Sequence, residues 1–390
     1  MRRTPNCPMT VLRQGTQGQP HRGGRRGTTE MKKLVWLGMA VALAGATIAP
    51  AHAATSAANF KTLKGSVYFM MPNTTTARFP EHDAPEFVKA MKKLAPGIKV
   101  VVVNANNSGA TQIQQAETAI AKGALALVWV AADPATAGGF VAKAVAAKIP
   151  VIDYEHGVSN AGIAYHVQNS PVKVGEGIGK TAAAAIAAMP GTIRVARVYG
   201  NKGDDYTTNE KIGEDKYLQP LIDSGKIKVV CEDYTANWQP SVAQISSEQC
   251  LTKTQNGVDV FVAMNDGTAM AAVAAIQGQK LIDKIKVYGG QDAGLDALKY
   301  LLRGWIQDDV YKPFSSEATA AAQLALAAIT KTAPPKGLIT GKFADGKPIA
   351  LLDVVDLTAK NIGRVVADGL YKKSDLCTSD VVDVTGYCNS

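Results

Sequence analysis

The chain has 390 residues, with 42 Lys and Arg against 33 Asp and Glu, which gives a formal net charge of +9. Residues 1–53 contain eight of those basic residues and one acid, a net +7, so the other 337 residues carry nine minus seven, or +2. The basic excess therefore gives no support to nucleic-acid binding, and a length beyond the ~250–300 residues of a single core predicts two lobes.

Residues 31–53 have the three-part layout of a secretory signal peptide. A basic start at Met31–Lys33 precedes an apolar run, Leu34–Ile48, and Ala51–Ala53 forms a small-x-small cleavage site. The run is too short for a stable membrane span, and no cysteine is present at the cleavage site to carry a lipid. The six arginines of residues 1–30 indicate a start codon assigned too early, with a basic nucleic-acid-binding arm as the alternative. The sequence thus predicts an exported protein.

Beyond the leader, short apolar strands alternate with helices. The predicted strands are Val67–Met71, Val100–Val103, Leu125–Val130, Val151–Ile152, Ile193–Tyr199, Ile227–Cys231, Val258–Ala263, Ile285–Tyr288 and Ile306–Val310. The predicted helices are Ala84–Leu94, Thr111–Lys122, Ala135–Lys148, Val174–Met189, Glu210–Asp223, Val242–Thr254 and Thr268–Gln279. Several strands are apolar throughout, which is typical of a parallel sheet covered on both faces by helices. The repeated βα units predict a doubly wound α/β fold, with a lobe boundary near Asn169–Pro171.

Three polar clusters in the second half of the chain each come directly after a predicted strand. They are Asn265-Asp266, Gln291-Asp292 and Lys312. Because side chains just past the carboxyl ends of parallel strands line the ligand crevice, we expect the three clusters to face one cleft. Acid, amide and cationic groups suit a polyhydroxylated molecule, since each hydroxyl both donates and accepts hydrogen bonds. Ordinary turn residues are the alternative interpretation of each cluster taken alone.

Removal of the leader, which contains Cys7, leaves four cysteines. They are Cys231, Cys250, Cys377 and Cys388. In an oxidising compartment they favour two disulfides, for which three connectivities are possible. We expect the neighbour pairs, Cys231 with Cys250 and Cys377 with Cys388. Free thiols are the alternative, and a metal site is disfavoured because no Cys-x-x-Cys spacing occurs.

Several segments together indicate a family. They are Asp223–Val230, Trp238 with Pro240, Asn265-Asp266, Gly290–Ala293 and Val310–Pro313. In order and spacing they resemble the periplasmic sugar-binding proteins of bacterial ABC importers, the xylose-binding members most closely, over most of residues 64–376. The resemblance implies a periplasmic, non-enzymatic protein without cofactor or metal, which captures a monosaccharide and delivers it to an importer.

The resemblance also implies two doubly wound parallel-sheet lobes, joined by a multi-strand hinge, that close over one sugar. We expect residues 60–169 and 313–350 to form the first lobe and residues 170–312 and 351–376 the second, with 377–390 as a disulfide-tied tail. The implied partners are the sugar and the membrane permease of the importer, with a chemoreceptor as a further candidate, and the protein itself is expected to be a monomer.

The resemblance places ligand-binding residues where this sequence matches the family's motifs. They are Arg78, Phe79, Asn169, Asp204, Trp238, Asn265, Gln291, Asp292 and Lys312. Trp238 is expected to stack on the C–H face of the sugar, while the polar groups fix the orientation of its hydroxyls.

Two pairs depart from the family's pattern but remain candidate ligand contacts through Glu155, His156 and Tyr206. Glu155-His156 replaces an Asp-Arg pair, and Asp205-Tyr206 replaces paired asparagines. An imidazole supplies fewer donors than a guanidinium, so the hydrogen-bond pattern of the pocket changes. Xylose, another pentose, a hexose and a polyol all stay open as ligands.

Two other functions also stay open. A receptor for another small signal molecule can use the same scaffold, because fold does not fix ligand. An exported glycosidase needs two carboxylates, which Glu155, Asp266 and Asp292 could supply. Against an enzyme, the sequence contains no G-x-S-x-G elbow, no H-E-x-x-H and no dinucleotide fingerprint.

Overall fold

The computed structural model describes residues 60–389, and the predicted signal peptide and the segment before it lie outside that range. The strands are β1 (Gly65–Met71), β2 (Ile98–Asn104), β3 (Ala126–Trp129), β4 (Val151–Tyr154), β5 (Tyr165–Asn169), β6 (Ile193–Tyr199), β7 (Ile227–Tyr234), β8 (Val260–Ala263), β9 (Lys286–Gly289), β10 (Asp309–Tyr311), β11 (Gly341–Lys342), β12 (Pro348–Leu352) and β13 (Val355–Leu357). The helices are α1 (Ala84–Leu94), α2 (Gly109–Ala121), α3 (Ala137–Ala146), α4 (Pro171–Ala188), α5 (Asp205–Asp223), α6 (Pro240–Lys253), α7 (Asp266–Gly278), α8 (Leu295–Leu302), α9 (Phe314–Thr330), α10 (Gly363–Ala367) and α11 (Lys373–Leu376).

The first lobe is built on a seven-stranded sheet in the order β11-β12-β5-β4-β3-β1-β2, parallel except at its β11 edge. Alternate residues of β1 enter different cores: Phe69 packs with Phe87 of α1 and Leu324 of α9, whereas Met70 packs with Phe140 of α3. Because both faces are covered, β3 and β4 are buried at every position. This explains why their sequences are apolar runs rather than alternating patterns.

The second lobe is built on a parallel sheet in the order β7-β6-β8-β9. Isolated parallel bridges extend this sheet from β9 to the neighbouring segment that contains β10. Strand β10 in turn pairs antiparallel with β13. Helices α4 and α5 cover one face, and they approach closely because of glycine: a Cβ on Gly175 would lie 1.9 Å from the carbonyl oxygen of Glu210. This close approach brings the first turns of α5 over the carboxyl ends of the strands.

Within residues 60–389 the chain passes between the two sheets three times: from β5 to α4, from β10 to α9, and from β12 to β13. The architecture of two parallel-sheet lobes confirms the predicted fold class. Adjacent crossings form the floor of the cleft between the lobes, and Lys312 lies on one of them.

Both expected disulfides are present. Cys231 of β7 is bonded to Cys250 of α6, and Cys377 is bonded to Cys388 across the C-terminal tail. The tail lies against α8, where the Arg303 guanidinium donates to Asp380 at 2.8 Å. No helix among the described residues is long and apolar enough to cross a membrane.

Candidate ligand-binding site

A cavity of about 310 Å³ lies between the two lobes, at the carboxyl ends of the strands. Its walls are Thr76, Arg78, Phe79, Glu155, His156, Tyr206, Trp238, Asn265, Gln291, Asp292 and Lys312. Ten of the twelve predicted ligand-binding residues are therefore brought together. Asn169 and Asp204 lie outside the lining, and Thr76 lines the cavity without having been predicted.

Arg78 follows β1 and is only 3% exposed. Its Nε donates to Asp83 at 2.7 Å, and its Nη2 donates to both Asp83 and Glu317 at 2.9 Å. Its Nη1 donates to Glu155 and lies 3.5 Å from Oδ1 of Asp292. All the N–H groups of the guanidinium thus point at acidic side chains. One of these acids, Asp292, belongs to the opposite lobe.

Lys312 is the second buried cation of the site, and its ammonium group also contacts both lobes. Its Nζ lies 2.6 Å from Oε1 of Glu155 and 3.2 Å from Oδ1 of Asp292. Burial alone would raise the pKa of Glu155, but Arg78 and Lys312 outweigh burial and hold that pKa well below its ordinary value. Glu155 is therefore ionised at neutral pH.

The pKa values of two other buried acids near the cavity are shifted in the opposite direction. Burial, reinforced by the charge of Glu155, raises the pKa of Glu317 well above its ordinary value. Burial, reinforced by Glu214, does the same to the pKa of Glu210. Both carboxyls are therefore harder to ionise than a free glutamate, and Arg78, Lys312, Glu155 and Asp292 are paired with one another. A site whose charges are already paired suits an uncharged polar ligand.

The two carboxylates that face each other across the cleft both lie on strained backbone. Glu155 has a φ of 65° and Asp292 a φ of 98°, in the left-handed region that non-glycine residues rarely adopt. The strain is held by neighbouring strands, since the backbone N–H of Glu155 donates to Val167 and that of Asp292 donates to Val310. Such strain concentrates where a side chain must be aimed, as at binding sites.

Gln291 is fixed by two residues of the first turns of α5. The Tyr206 hydroxyl lies 3.2 Å from Oε1 of Gln291, and Nε2 of Gln291 donates to Glu210 at 3.0 Å. Tyr206 and Glu210 are four residues apart, so they share one face of the helix. The Tyr206 ring also lies 4.4 Å beneath the ammonium group of Lys312.

Asn265 is the N-cap of α7. Its Oδ1 accepts from the backbone N–H of Thr268, while the Thr268 hydroxyl accepts from the N–H of Asn265, a complete capping box. Because the cap uses the oxygen, the Nδ2 group of Asn265 is the donor available to a ligand.

Trp238 forms an aromatic wall, and Asp204 holds it in place. The indole Nε1 donates to Oδ2 of Asp204 at 2.8 Å, while Oδ1 of Asp204 accepts from Asn201 at 2.9 Å. The ring lies directly on the backbone at Gly200, where a Cβ would come within 2.0 Å of it. Asp204 thus positions Trp238, whereas a direct contact between Asp204 and a ligand stays a prediction.

Phe79 and His156 form the aromatic part of the first-lobe wall, with ring centroids 5.8 Å apart in an edge-on arrangement. Nδ1 of His156 lies 2.6 Å from the carbonyl oxygen of Ala131, so it must carry the proton that makes this hydrogen bond. In the neutral ring, Nε2 is then an acceptor. Where the family pattern has a guanidinium, this chain presents the Nε2 edge of an imidazole.

Asn169 lies below the cavity and is fully buried. Its Nδ2 donates to Oε2 of Glu317 at 2.5 Å, and its backbone N–H lies 3.4 Å from Oε2 of Glu155. Asn169 thus positions Glu317 and Glu155, which contact Arg78. A direct contact between Asn169 and a ligand stays a prediction. Among the described residues no group of three or more His, Cys, Asp or Glu side chains could hold a metal ion.

Comparison with known proteins places this geometry in a family. The model of the periplasmic binding protein domain matches residues 67–333. The D-xylose-binding periplasmic protein of Escherichia coli is 31% identical over 300 residues, which cover 76% of this chain and 88% of that protein. The chain belongs to the periplasmic sugar-binding proteins.

Solved structures of this family share the fold. A solute-binding protein of Clostridium phytofermentans with bound β-D-glucose has a TM-score of 0.70 and 23% identity, covering 80% of this chain and all of that one. The Caulobacter myo-inositol-binding protein has a TM-score of 0.65 and 22% identity, covering 78% of this chain and 97% of that one. Periplasmic sugar-binding proteins are not enzymes, which confirms the non-enzymatic interpretation and makes the glycosidase alternative wrong.

Proposed function

We propose that the protein captures a monosaccharide, xylose or a related pentose or hexose, by hinge closure and delivers it to an ABC importer. The observation that carries this proposal is the composition of the cavity wall: Arg78 and Glu155 come from the first lobe, Asp292 and Trp238 from the second, and Lys312 from a crossing. A ligand that contacts both lobes binds the closed arrangement better than the open one, and this difference in affinity drives closure.

The chemistry of the wall supports a neutral, polyhydroxylated ligand. Glu155 and Asp292 accept hydrogen bonds, Lys312 and the Nδ2 group of Asn265 donate them, and a hydroxyl can satisfy either kind of partner. Trp238 offers a flat apolar face to sugar C–H groups. Among neutral ligands, xylose is the leading candidate, because two relatives that are 31% identical over about three quarters of the chain are named D-xylose-binding periplasmic proteins.

Export to the periplasm rests on the predicted signal peptide of residues 31–53, on the periplasmic relatives and on the two disulfides. Disulfides persist in oxidising compartments such as the periplasm. The proposed partners are the sugar and the membrane permease, with the binding protein acting as a monomer.

A ligand screen on the chain from Ala54 onward tests the proposal. Thermal unfolding is measured with pentoses, hexoses, myo-inositol and other polyols, and positive ligands are then titrated by calorimetry. A ligand present at 100 times its Kd adds about 2.7 kcal/mol to the free energy of unfolding, which shifts Tm clearly. A pentose or hexose that shifts Tm and binds one to one supports the proposal. Binding of a polyol alone would favour a receptor on the same scaffold, and silence of every sugar on folded protein would contradict the proposal.

A further inference from the structure

A second cavity lies beside the first, also between the two lobes. Thr76, Arg78, Trp238, Asn265 and Asp292 line both cavities, so these residues form a wall that the two spaces share. The second cavity is the larger of the two. A second ring joined to a ring in the first cavity would therefore meet an empty space beyond the shared wall.

Both lobes contribute to the second cavity. The loop after β1 supplies Thr75, Glu81 and His82, and the second lobe supplies Met270 and Leu295. The cavity is thus completed by the same closure that completes the first, and a ligand that fills both would stabilise the closed arrangement more than one that fills the first alone.

Glycine and backbone form part of the second cavity's wall. A Cβ on Gly294 would lie 2.9 Å from Oδ2 of Asp266, and a Cβ on Gly267 would lie 3.0 Å from the Pro240 ring. The backbone N–H of Gly294 donates to Asp266 at 2.6 Å, which fixes the start of α8 against the start of α7. Part of the wall between these helix starts is therefore closely packed backbone rather than side chains.

The lining defines the chemistry of the occupant. Met270, Leu295 and the Pro240 ring offer apolar surface, while the carboxylates of Glu81 and Asp296 accept hydrogen bonds. These carboxylates repel an anionic group such as a uronate or a phosphate. The guanidinium of Arg78 cannot offset them, because its N–H groups already face carboxylates. Apolar surface beside hydrogen-bond acceptors matches a second neutral sugar ring.

We propose that the protein accepts neutral disaccharides, with one ring in the first cavity and the second ring in the space lined by Met270 and Leu295. The proposal rests on the proposed function, because it assigns the first ring to the monosaccharide site. It extends the ligand class from free monosaccharides to disaccharides whose attached ring carries no charge.

Calorimetric titration with matched pairs, D-xylose with xylobiose and D-glucose with cellobiose, tests the proposal. We expect at least one disaccharide to bind within tenfold of its monosaccharide. Met270→Trp and Leu295→Trp place an indole in the second cavity without touching the first. Each should raise the Kd of that disaccharide at least tenfold and change the Kd of the monosaccharide less than twofold. Ile245→Trp is the control, since Ile245 is 55% exposed on α6 away from the cavity, and it should change neither Kd.

The possible results separate the two proposals. Binding of a monosaccharide without either disaccharide would overturn the disaccharide proposal and leave the proposed function intact. Disaccharide binding that neither tryptophan variant weakens would also overturn it, because the second ring would then lie elsewhere. Failure of both disaccharides and of every pentose and hexose in the screen to bind folded protein would overturn both.

Discussion

Glu155 of the first lobe and Asp292 of the second lie on opposite sides of one ammonium group, with Nζ of Lys312 2.6 Å from the former and 3.2 Å from the latter. A single buried cation therefore joins carboxylates of both lobes at the floor of the cleft. In the proposed function, a hydroxyl placed between these groups would replace part of an interaction that already spans the lobes.

Asp292→Asn should weaken sugar binding roughly 10- to 100-fold, since hydrogen bonds to charged groups contribute about 1.5–3 kcal/mol. The substitution keeps the shape of the side chain but removes the charge that attracts Lys312 and Arg78 across the cleft. Calorimetry with the sugar identified in the screen measures the change. Asp283→Asn, at an exposed position of the same lobe, is the matched control and should bind normally. Wild-type affinity in Asp292→Asn would remove Asp292 from the site.

Glu155 and Glu210 should respond differently to the same substitution. Arg78 and Lys312 hold the pKa of Glu155 low, so Glu155→Gln leaves two buried cations with one partner fewer. Breaking a buried ion pair in this way costs about 3–5 kcal/mol. Burial raises the pKa of Glu210, and its Oε2 accepts from the Gln291 amide, so Glu210→Gln exchanges groups of the same size without breaking an ion pair and should cost less than about 1.5 kcal/mol.

Urea unfolding at pH 7 measures the free energy of unfolding of wild type, Glu155→Gln and Glu210→Gln under the same conditions. The expected order of stability is wild type, then Glu210→Gln slightly below it, then Glu155→Gln well below both. Equal destabilisation by the two substitutions would contradict the opposite electrostatic surroundings assigned to the two acids.

The parts of the fold and site that could be predicted are those encoded locally. Apolar runs mark strands buried on both faces, and strand-end polar residues such as Asn265, Asp292 and Lys312 converge because parallel strands end at one edge. The predicted start of α5 at Glu210 was too late, because the helix begins at Asp205. Packing against the glycine face of α4 overrides the weak helix propensity of Tyr206 and its neighbours.

The parts that could not be predicted depend on distant pairing. Asp83, Glu155, Asp292 and Glu317, which surround Arg78, lie 5, 77, 214 and 239 positions away from it in the sequence. Only the return of the chain through α9 places Glu317 there, so no local pattern marks it. Glu210 did carry a signal, its four-residue spacing from Tyr206 on one helix face, which identifies it once the helix start is known.

Asp204 should affect sugar binding through Trp238. Asp204→Ala removes the acceptor of the indole N–H, so the ring loses its fixed orientation and affinity should fall roughly tenfold, about 1.4 kcal/mol. Asp204→Asn keeps one oxygen that can accept from the indole and should restore most of the affinity. Calorimetry gives the affinities, and the tryptophan fluorescence change on sugar binding, expected to disappear in Trp238→Phe, reports on the ring. Full affinity in Asp204→Ala would mean that the ring is held by packing alone.

His166 should make the stability of the first lobe depend on pH. Its Nδ1 lies 2.7 Å from Oδ2 of Asp153 and its Nε2 lies 3.1 Å from Oδ2 of Asp345, on the turn between β11 and β12, while its ring stacks on Phe343. Both ring nitrogens can donate only in the imidazolium form. Burial opposes this charge, but the hydrogen bonds and charges of the two aspartates outweigh it and raise the pKa of His166.

Because the folded state raises this pKa above the unfolded value of about 6.5, the contribution of His166 to stability is complete below pH 6.5 and is lost as pH rises through the folded pKa. His166→Gln should therefore lower the free energy of unfolding more at pH 6 than at pH 9. His82 provides an internal contrast, because burial lowers its pKa and its contribution is lost as pH falls. Urea unfolding of the wild type and of His166→Gln at pH 6 and pH 9 measures the effect, and NMR titration of the imidazole protons follows the two histidines. A His166 resonance that titrates below 6.5, or a cost of His166→Gln that grows with pH, would contradict the assignment of a charged ring between Asp153 and Asp345.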